Sequence, residues 1–288
     1  MRGTNLRIAI QGEPGSFSHE AALKAVPEAT IFPCAFSPEV FTSVANGAAE
    51  AAVIPIENSL AGSVLEHYDL LLSHDVVVES EWLLRIRHNL IGVPGAKVGS
   101  IRQAYSHPVA LAQCRQFFLE HPAIEAAPFY DTAGSVKQMM ELRDAGIAAI
   151  ASAQAAAVYG GEILQAGIED NPENFTRFFL IRKREAVLRE QAGSDPQPAQ
   201  PANKVSLAFK VENRPGSLVE ALQVFAGLGT NLTRLESRPV PGRPWEYVFY
   251  ADYQLADPKL AGWALEMLPR HCSMVRELGR YRAAEQPG

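Results

Sequence analysis

Four short segments group residue types able to bind or move charge on a small molecule. Gly12-Glu13-Pro14-Gly15-Ser16-Phe17-Ser18 separates an apolar run from a helical pattern. A loop there aims backbone N–H groups and a helix N-terminus at a ligand, which favours a carboxylate or a phosphate. The plain alternative is a tight turn with a Ser18 cap. The segment has neither the lysine of a Walker A loop nor the glycine spacing of a dinucleotide fingerprint. Pro55-Ile56-Glu57-Asn58-Ser59, with Gly62 behind it, follows the apolar run 51–56. Polar groups at the end of a buried strand must be paired, solvated or used, so ligand contact and local turn chemistry both stand open. Asp131-Thr132-Ala133 repeats this layout later in the chain, where its plain role is an N-cap. Asn174-Phe175-Thr176-Arg177-Phe178 offers a guanidinium for bidentate grip of a carboxylate and a hydroxyl beside it. The alternative is an arginine paired with Glu or Asp to hold two lobes together, with Phe175, Phe178 and Phe179 as core.

Parallel-sheet architecture is what can bring these segments together. Strands are expected at 7–11, 29–33, 51–56, 124–128, 147–151 and 178–182, alternating with helices from about Ser18, at 38–46, up to about Leu72, at 107–120, 132–143 and 152–159. Apolar strands separated by helices of about ten residues imply parallel sheets covered on both faces. The extended run 75–89 is long enough to cross between two lobes, and the chain returns near 175–181. Two lobes with two crossings leave a cleft, the usual place for a small ligand. The expected domains are a two-lobed body over 1–184 (lobe one about 5–80 and 174–184, lobe two about 81–173), a linker over 185–202 containing Pro196, Pro198 and Pro201, and a C-terminal domain over 203–288. The last reads β-α-β-β-α-β, at 204–211, 217–227, 231–238, 246–253, 259–268 and 272–278, a ferredoxin-like pattern. It suits ligand sensing or dimerisation better than catalysis.

Composition removes several classes. The 288 residues carry a net charge of −6, with 47% hydrophobic and 20% charged residues, and no basic stripe interleaved with aromatics. Nucleic acid is therefore not an expected partner. The longest uncharged stretch, 145–161, is Ala-rich and broken by Gly146, Ser152, Gln154, Gly160 and Gly161, so no membrane span is expected. Residues 1–10 lack an apolar core of signal-peptide length, which makes cytoplasmic the expected location. Cys34, Cys114 and Cys272 form neither a metal spacing nor a disulfide framework and read as buried thiols. The histidines at 19, 67, 74, 88, 107, 121 and 271 show no metal pairing and no nucleophile beside them. A hydrolytic triad is unsupported, and no metal, dinucleotide or other cofactor is expected.

Taken in order along nearly the whole chain, the segments resemble the prephenate dehydratase family with a C-terminal ACT domain. The resemblance rests on 12–18, Val53 to Ser59 with Gly62, Ser106-His107-Pro108, Tyr130-Asp131-Thr132-Ala133 and 174–178. In the C-terminal domain it rests on Glu212-Asn213-Arg214-Pro215-Gly216-Ser217-Leu218-Val219 and Asn231-Leu232-Thr233-Arg234-Leu235-Glu236-Ser237-Arg238-Pro239. Ser217 and Ser135 stand where the family commonly has Ala, both small changes.

The resemblance implies a two-lobed periplasmic-binding-protein-like body with an ACT domain, and a lyase converting prephenate to phenylpyruvate, water and carbon dioxide in phenylalanine synthesis. It gives the central role to Thr176, best understood as a hydrogen-bond donor to the departing oxygen. Glu57 would supply a proton if burial raised its pKa. Arg177 and the Ser16/Ser18 loop would take the substrate carboxylates, with Asn58, Ser59, Gly62, Ser106, Thr132, Ala133 and Phe178 lining the remainder. L-Phenylalanine would act as effector between two ACT domains, at Asn213, Gly216, Ser217, Leu218 and Val219 of one and Asn231, Glu236, Ser237 and Arg238 of the other. That arrangement implies a homodimer or homotetramer. Rival readings are an arogenate dehydratase, a non-catalytic two-lobed binding protein and a regulatory subunit.

Overall fold

A computed structural model describes residues 6–193, 201–240, 242–255, 257 and 261–285. Pro196 and Pro198 of the expected linker, and residues 259 and 260 of the last expected helix, lie outside these. In chain order the first elements are β1 (Arg7–Gln11), α1 (Phe17–Ala25), β2 (Thr30–Cys34), α2 (Ser37–Ala45), β3 (Ala51–Asn58), β4 (Gly62–Ser63), α3 (Leu65–Ser73) and β5 (Val76–Arg85). Next come β6 (Asn89–Gly92), β7 (Gln103–Ser106), α4 (Pro108–Ala112), α5 (Arg115–Glu120), β8 (Glu125–Pro128), α6 (Thr132–Leu142), β9 (Ile147–Ala151), α7 (Ala153–Tyr159) and β10 (Glu162–Gln165). Then follow β11 (Phe175–Lys183), α8 (Arg184–Gly193), β12 (Lys204–Lys210), α9 (Ser217–Gly227), β13 (Asn231–Pro239), β14 (Tyr247–Gln254), α10 (Ala261–Met267) and β15 (Met274–Tyr281).

The chain forms two compact units, Met1–His67 with Leu83–Phe178 and Tyr68–Trp82 with Phe179–Gly288. The first unit contains two α/β lobes. One is built on the strand order β2-β1-β3-β11, to which β11 contributes residues 175–178 in this unit, with β1 parallel to β2 and β3. Ile8, Ile10, Val53, Ile54 and Ile56 are buried in it, as are Val40, Phe41 and Val44 of the covering helix α2. The other lobe has the order β10-β6-β9-β7-β8. Here the expected all-parallel sheet is corrected. β7 runs parallel to β8 and β9, but β6 is antiparallel to β9 and β10. β6 and β10 are the strands by which the chain enters and leaves this lobe. Antiparallel neighbours do not need the helical crossover that parallel ones require, so β6 can lie between β9 and β10.

Three local departures place the functional residues. β3 extends through Asn58, so Glu57 and Asn58 belong to a strand and not to a turn. Ser16, not Ser18, caps α1, its hydroxyl accepting from His19 N–H at 3.3 Å. The single helix expected over 107–120 is broken at Gln113 and Cys114. Asp170 is the cause: its carboxylate accepts from the N–H groups of Arg115 (3.0 Å) and Gln116 (2.8 Å), while its own N–H donates to the Gln113 carbonyl at 2.7 Å. A new N-cap thus starts α5 where one helix would have continued.

The second unit contains the β-α-β-β-α-β domain, with antiparallel order β13-β14-β12-β15. Val205, Leu207, Phe209, Phe225, Tyr253 and Leu268 form its core. Lys204 on β12 and Glu81 on β5 form a buried ion pair at 2.9 Å.

Burial also predicts a pH response. His67 is fully buried, its Nδ1 lies 2.5 Å from the Pro55 carbonyl, and burial lowers its pKa. Below about pH 6.5 the unfolded chain binds a proton there that the folded state refuses, so stability falls as pH falls, by up to about 1.4 kcal/mol per pH unit. In urea titrations, His67→Gln should be less stable than wild type at pH 7.5 yet lose stability less steeply between pH 6.5 and 5. Equal slopes would remove His67 from the acid response.

Candidate active site

Between the two lobes of the first unit lies a cavity of about 830 Å³. Its wall includes the loop Gln11 to Glu13, Ser16 and Ser18 at the start of α1, His107, Val109 and Ala110 at the start of α4, and Asp131 and Thr132 at the start of α6. Asn58 of β3, Thr176 and Phe178 of β11, and His88 and Gln113 complete the polar and aromatic surface used below. None of the lining residues is Arg or Lys. Any positive potential offered to an anion would come from helix N-termini and side-chain donors.

The two-residue period of the strands sorts the expected catalytic residues. On β11, Thr176 and Phe178 line the cavity, and Arg177 between them does not. On β3, Asn58 lines it and Glu57 does not. Arg177 and Glu57 share the other side, where their charged groups lie 3.7 Å apart. The expected roles of Arg177 as carboxylate grip and of Glu57 as proton source have no place in this cavity.

Asn58 is the best-determined group in the wall. Its Oδ1 accepts from the N–H groups of Leu60 (3.0 Å) and Ala61 (2.8 Å), which fixes the direction of its amide. Its Nδ2 then faces Asn174 Oδ1 at 2.7 Å and Thr176 Oγ1 at 2.9 Å. Thr176 thus receives a hydrogen bond, which leaves its own proton for a second partner. Since β3 and β11 are neighbours, two backbone-anchored strands set this geometry.

Other expected residues lie elsewhere. Ser59 bridges to the backbone of residues 173 and 175, accepting from Phe175 N–H and donating to the Glu173 carbonyl. Ser106 is fully buried and donates to the Ile150 carbonyl at 2.6 Å. Ala133 is fully buried core, and Gly62, on short strand β4, is absent from the cavity wall. Ser16, Ser18, Thr132 and Phe178 do line it.

Sequence reasoning did not assign Gln11, Glu13, His88, His107, Gln113, Tyr130 or Asp131 to the site. Glu13 ties the lobes, accepting from Tyr130 at 3.0 Å, Lys137 at 3.4 Å and Tyr159 at 3.5 Å. Burial and the Glu13 carboxylate push the Tyr130 hydroxyl up to about 12. Ser152 Oγ donates to the Gly15 carbonyl at 2.6 Å, and a Cβ at Gly15 would stand 2.7 Å from Ala155 Cα. Gly15 has φ +92°, so glycine serves both the turn and the approach. Asp131 caps α6 through Gly134 N–H, and burial raises its carboxyl above the usual range. Among the described residues, no group of three or more His, Cys, Asp or Glu is placed to hold a metal ion.

In the C-terminal domain, Gly216 has φ +84° and precedes α9, and Ser217 donates to the Glu212 carbonyl at 2.7 Å. Leu218 packs on the domain core, whereas Asn213, Val219, Asn231 and Ser237 are exposed. Glu236 pairs with Arg234 at 3.2 Å, and Arg238 pairs with Asp69 at 2.5 Å.

The prephenate dehydratase family profile matches residues 8–186, and the ACT domain profile matches 205–252. Arogenate dehydratase/prephenate dehydratase 2, chloroplastic, of Arabidopsis thaliana is 36% identical, over 97% of this chain and 73% of its own length. The prephenate dehydratase of Arthrobacter aurescens, solved in complex with L-Phe, is 33% identical with a TM-score of 0.84, covering 98% of this chain and 92% of that one. A structure described as GqqA, a novel type of quorum-quenching acylase, is 34% identical with a TM-score of 0.85, covering 96% and 98%. The chain belongs to the prephenate dehydratase/arogenate dehydratase family of lyases and carries a C-terminal ACT domain. The α/β body with a ferredoxin-like ACT domain expected from sequence agrees with the structure and with these relatives. The cytoplasmic expectation does not stand: the Arabidopsis relatives numbered 1, 2 and 6 are chloroplastic. It rested on residues 1–10 lacking an apolar signal-peptide core, which bears on export through such a peptide and on no other destination.

Asn58 generates the test of this geometry. Asn58→Ala should lower kcat about 100-fold, the scale of a lost oriented donor, with KM within a few-fold. A folded variant with wild-type kcat would show that Thr176 needs no partner on β3.

Proposed function

We propose that the protein is a prephenate dehydratase whose reaction takes place in the inter-lobe cavity of residues 1–184. In the reaction the ring C–carboxylate bond breaks, and its electron pair moves into the ring. The para C–O bond breaks with its pair on oxygen, and one proton converts the departing hydroxide to water. Carbon dioxide and aromatic phenylpyruvate remain. The body must hold a dianion and stabilise charge growing on one oxygen. The N-termini of α1 and α6, with Ser16, Ser18 and Thr132, suit the carboxylates. The observation that carries this reading is the 2.9 Å bond from Asn58 to Thr176 Oγ1, which turns the threonine hydroxyl into a free donor for the departing oxygen.

Arogenate, which carries an ammonium group where prephenate has a ketone, is the second reading, supported by relatives named arogenate dehydratase/prephenate dehydratase. Acyl transfer, named for the similar GqqA, calls for a nucleophile beside a base. Among the described residues lining the cavity, no hydroxyl or thiol is hydrogen-bonded to a histidine side chain.

Thr176→Val keeps the shape and removes the donor. The conversion of prephenate, followed by the absorbance of phenylpyruvate, should lose about 100-fold in kcat with KM changed only a few-fold. Undiminished kcat would refute the role given to Thr176.

Residues 203–288 are the regulatory domain in this proposal, joined to the body by 185–202, and L-phenylalanine is the effector. The open turn at Gly216 and the N–H groups opening α9 suit its carboxylate. β13 is an edge strand whose outward residues are exposed, which suits a second copy and a homo-oligomer. Gly216→Val places a side chain at φ +84° beside that site. It should abolish phenylalanine inhibition while leaving uninhibited kcat unchanged. Inhibition at wild-type concentrations would move the effector away from this turn.

A further inference from the structure

The backbone donors at Leu60 and Ala61 orient more than Asn58. Because Asn58 Nδ2 must donate, Asn174 Oδ1 accepts, and Asn174 Nδ2 is left to donate to Gln113 Oε1 at 2.9 Å. Gln113 Oε1 is therefore an acceptor, and the His88 Nε2 that lies 2.9 Å from it must carry the proton. The chain of bonds runs one way and selects a tautomer four residues from its anchor. His88 Nδ1 is then a bare lone pair.

That lone pair has no hydrogen-bond partner, and His88 is 2% exposed. Its imidazole lines the cavity and packs edge-on against Phe17, with ring centroids 5.6 Å apart. Burial lowers its pKa, so the ring is neutral and Nδ1 stays an acceptor at neutral pH. A buried acceptor without a donor is an uncommon feature that a bound molecule can resolve. The Glu13 oxygens that share the cavity already accept from Tyr130, Lys137 and Tyr159.

Of the two substrates in the reading above, on which this step rests, the ketone end of prephenate has no donor. The ammonium of arogenate has three. The ring hydroxyl, common to both, is engaged by Thr176 at the other end of the bond chain. We infer that His88 Nδ1 accepts a hydrogen bond from a substrate ammonium group, making His88 a specificity residue through which the cavity also takes the 2-amino substrate.

Two variants separate the ring nitrogens. His88→Gln keeps a donor near the position of Nε2 and removes the Nδ1 acceptor. His88→Asn keeps an acceptor near Nδ1 and removes the donor to Gln113. The quantity measured is the ratio of kcat/KM for arogenate to that for prephenate, which does not depend on the fraction of protein folded. His88→Gln should lower the ratio at least tenfold, chiefly through arogenate, whereas His88→Asn should leave it within about threefold. An unchanged ratio in His88→Gln, or an equal fall in both, would overturn the inference and point to a water or a structural role at Nδ1. So would a wild-type enzyme that converts prephenate but neither converts nor binds arogenate. Wild-type protein inactive on both substrates would instead refute the proposed function itself.

Discussion

The alternation of side chains on two neighbouring strands governs the site. Thr176 and Arg177 are adjacent in sequence and so are Glu57 and Asn58, yet a strand sends neighbours to opposite faces. Once β3 and β11 lie side by side, the two neutral residues meet in the cavity and the two charged ones meet outside it. This sorting lets the cavity act without a formal charge beside its threonine. A guanidinium at that point would grip a carboxylate strongly in both ground and transition states. A neutral donor aimed at the departing oxygen gains strength only as charge develops there.

In the proposed reaction, binding a dianion with no Arg or Lys in the wall would transfer the work to backbone dipoles. Helices α1 and α6 both begin at the cavity, each with a side-chain cap that satisfies one of the first N–H groups and leaves others for a ligand. The break between α4 and α5 belongs to the same scheme. Had 107–120 formed one helix, Gln113 would sit in its interior; capped by Asp170, the chain turns and brings Gln113 to the cavity wall. The lobes are held by hydrogen bonds to Glu13 and Gly15 from the opposite lobe, polar contacts that exchange with water at small net cost.

Much of the fold was legible because it depends on periodicity and punctuation. The apolar run at 51–56, the cap at Asp131 and the Gly216 turn are each local signals, and each marks the start or end of an element in the structure. What was not legible depends on partners distant in sequence. Ser106 looks like a ligand residue until the carbonyl of Ile150, 44 positions away, is found beneath it. Arg177 looks like a carboxylate grip until Glu57 is beside it. His88 carries no signal at all, since its tautomer is set by Asn58, Asn174 and Gln113, drawn from three separate segments. β6 escaped altogether: the extended run read from the sequence ends at residue 89, where this strand begins, and nothing local encodes which way its neighbour points.

The second unit gives the proposed regulation a physical form. Arg238, one of the residues expected to meet the effector, already has partners. Its guanidinium holds Asp69 of α3, whose carboxylate also accepts from Tyr250 at 3.3 Å. Arg234 lies over the Tyr68 ring at 3.9 Å, and Arg276 donates to the carbonyls of Leu72 and His74. Three arginines of the C-terminal domain thus engage one turn and the end of α3. A carboxylate arriving at Arg238 competes with Asp69 for the same fork, and keeping both means sharing its five donors. A ligand shifts a conformational equilibrium only by the difference in its affinity for the two states. In the proposed regulation, an arginine that must loosen one carboxylate to take another would supply such a difference at Asp69.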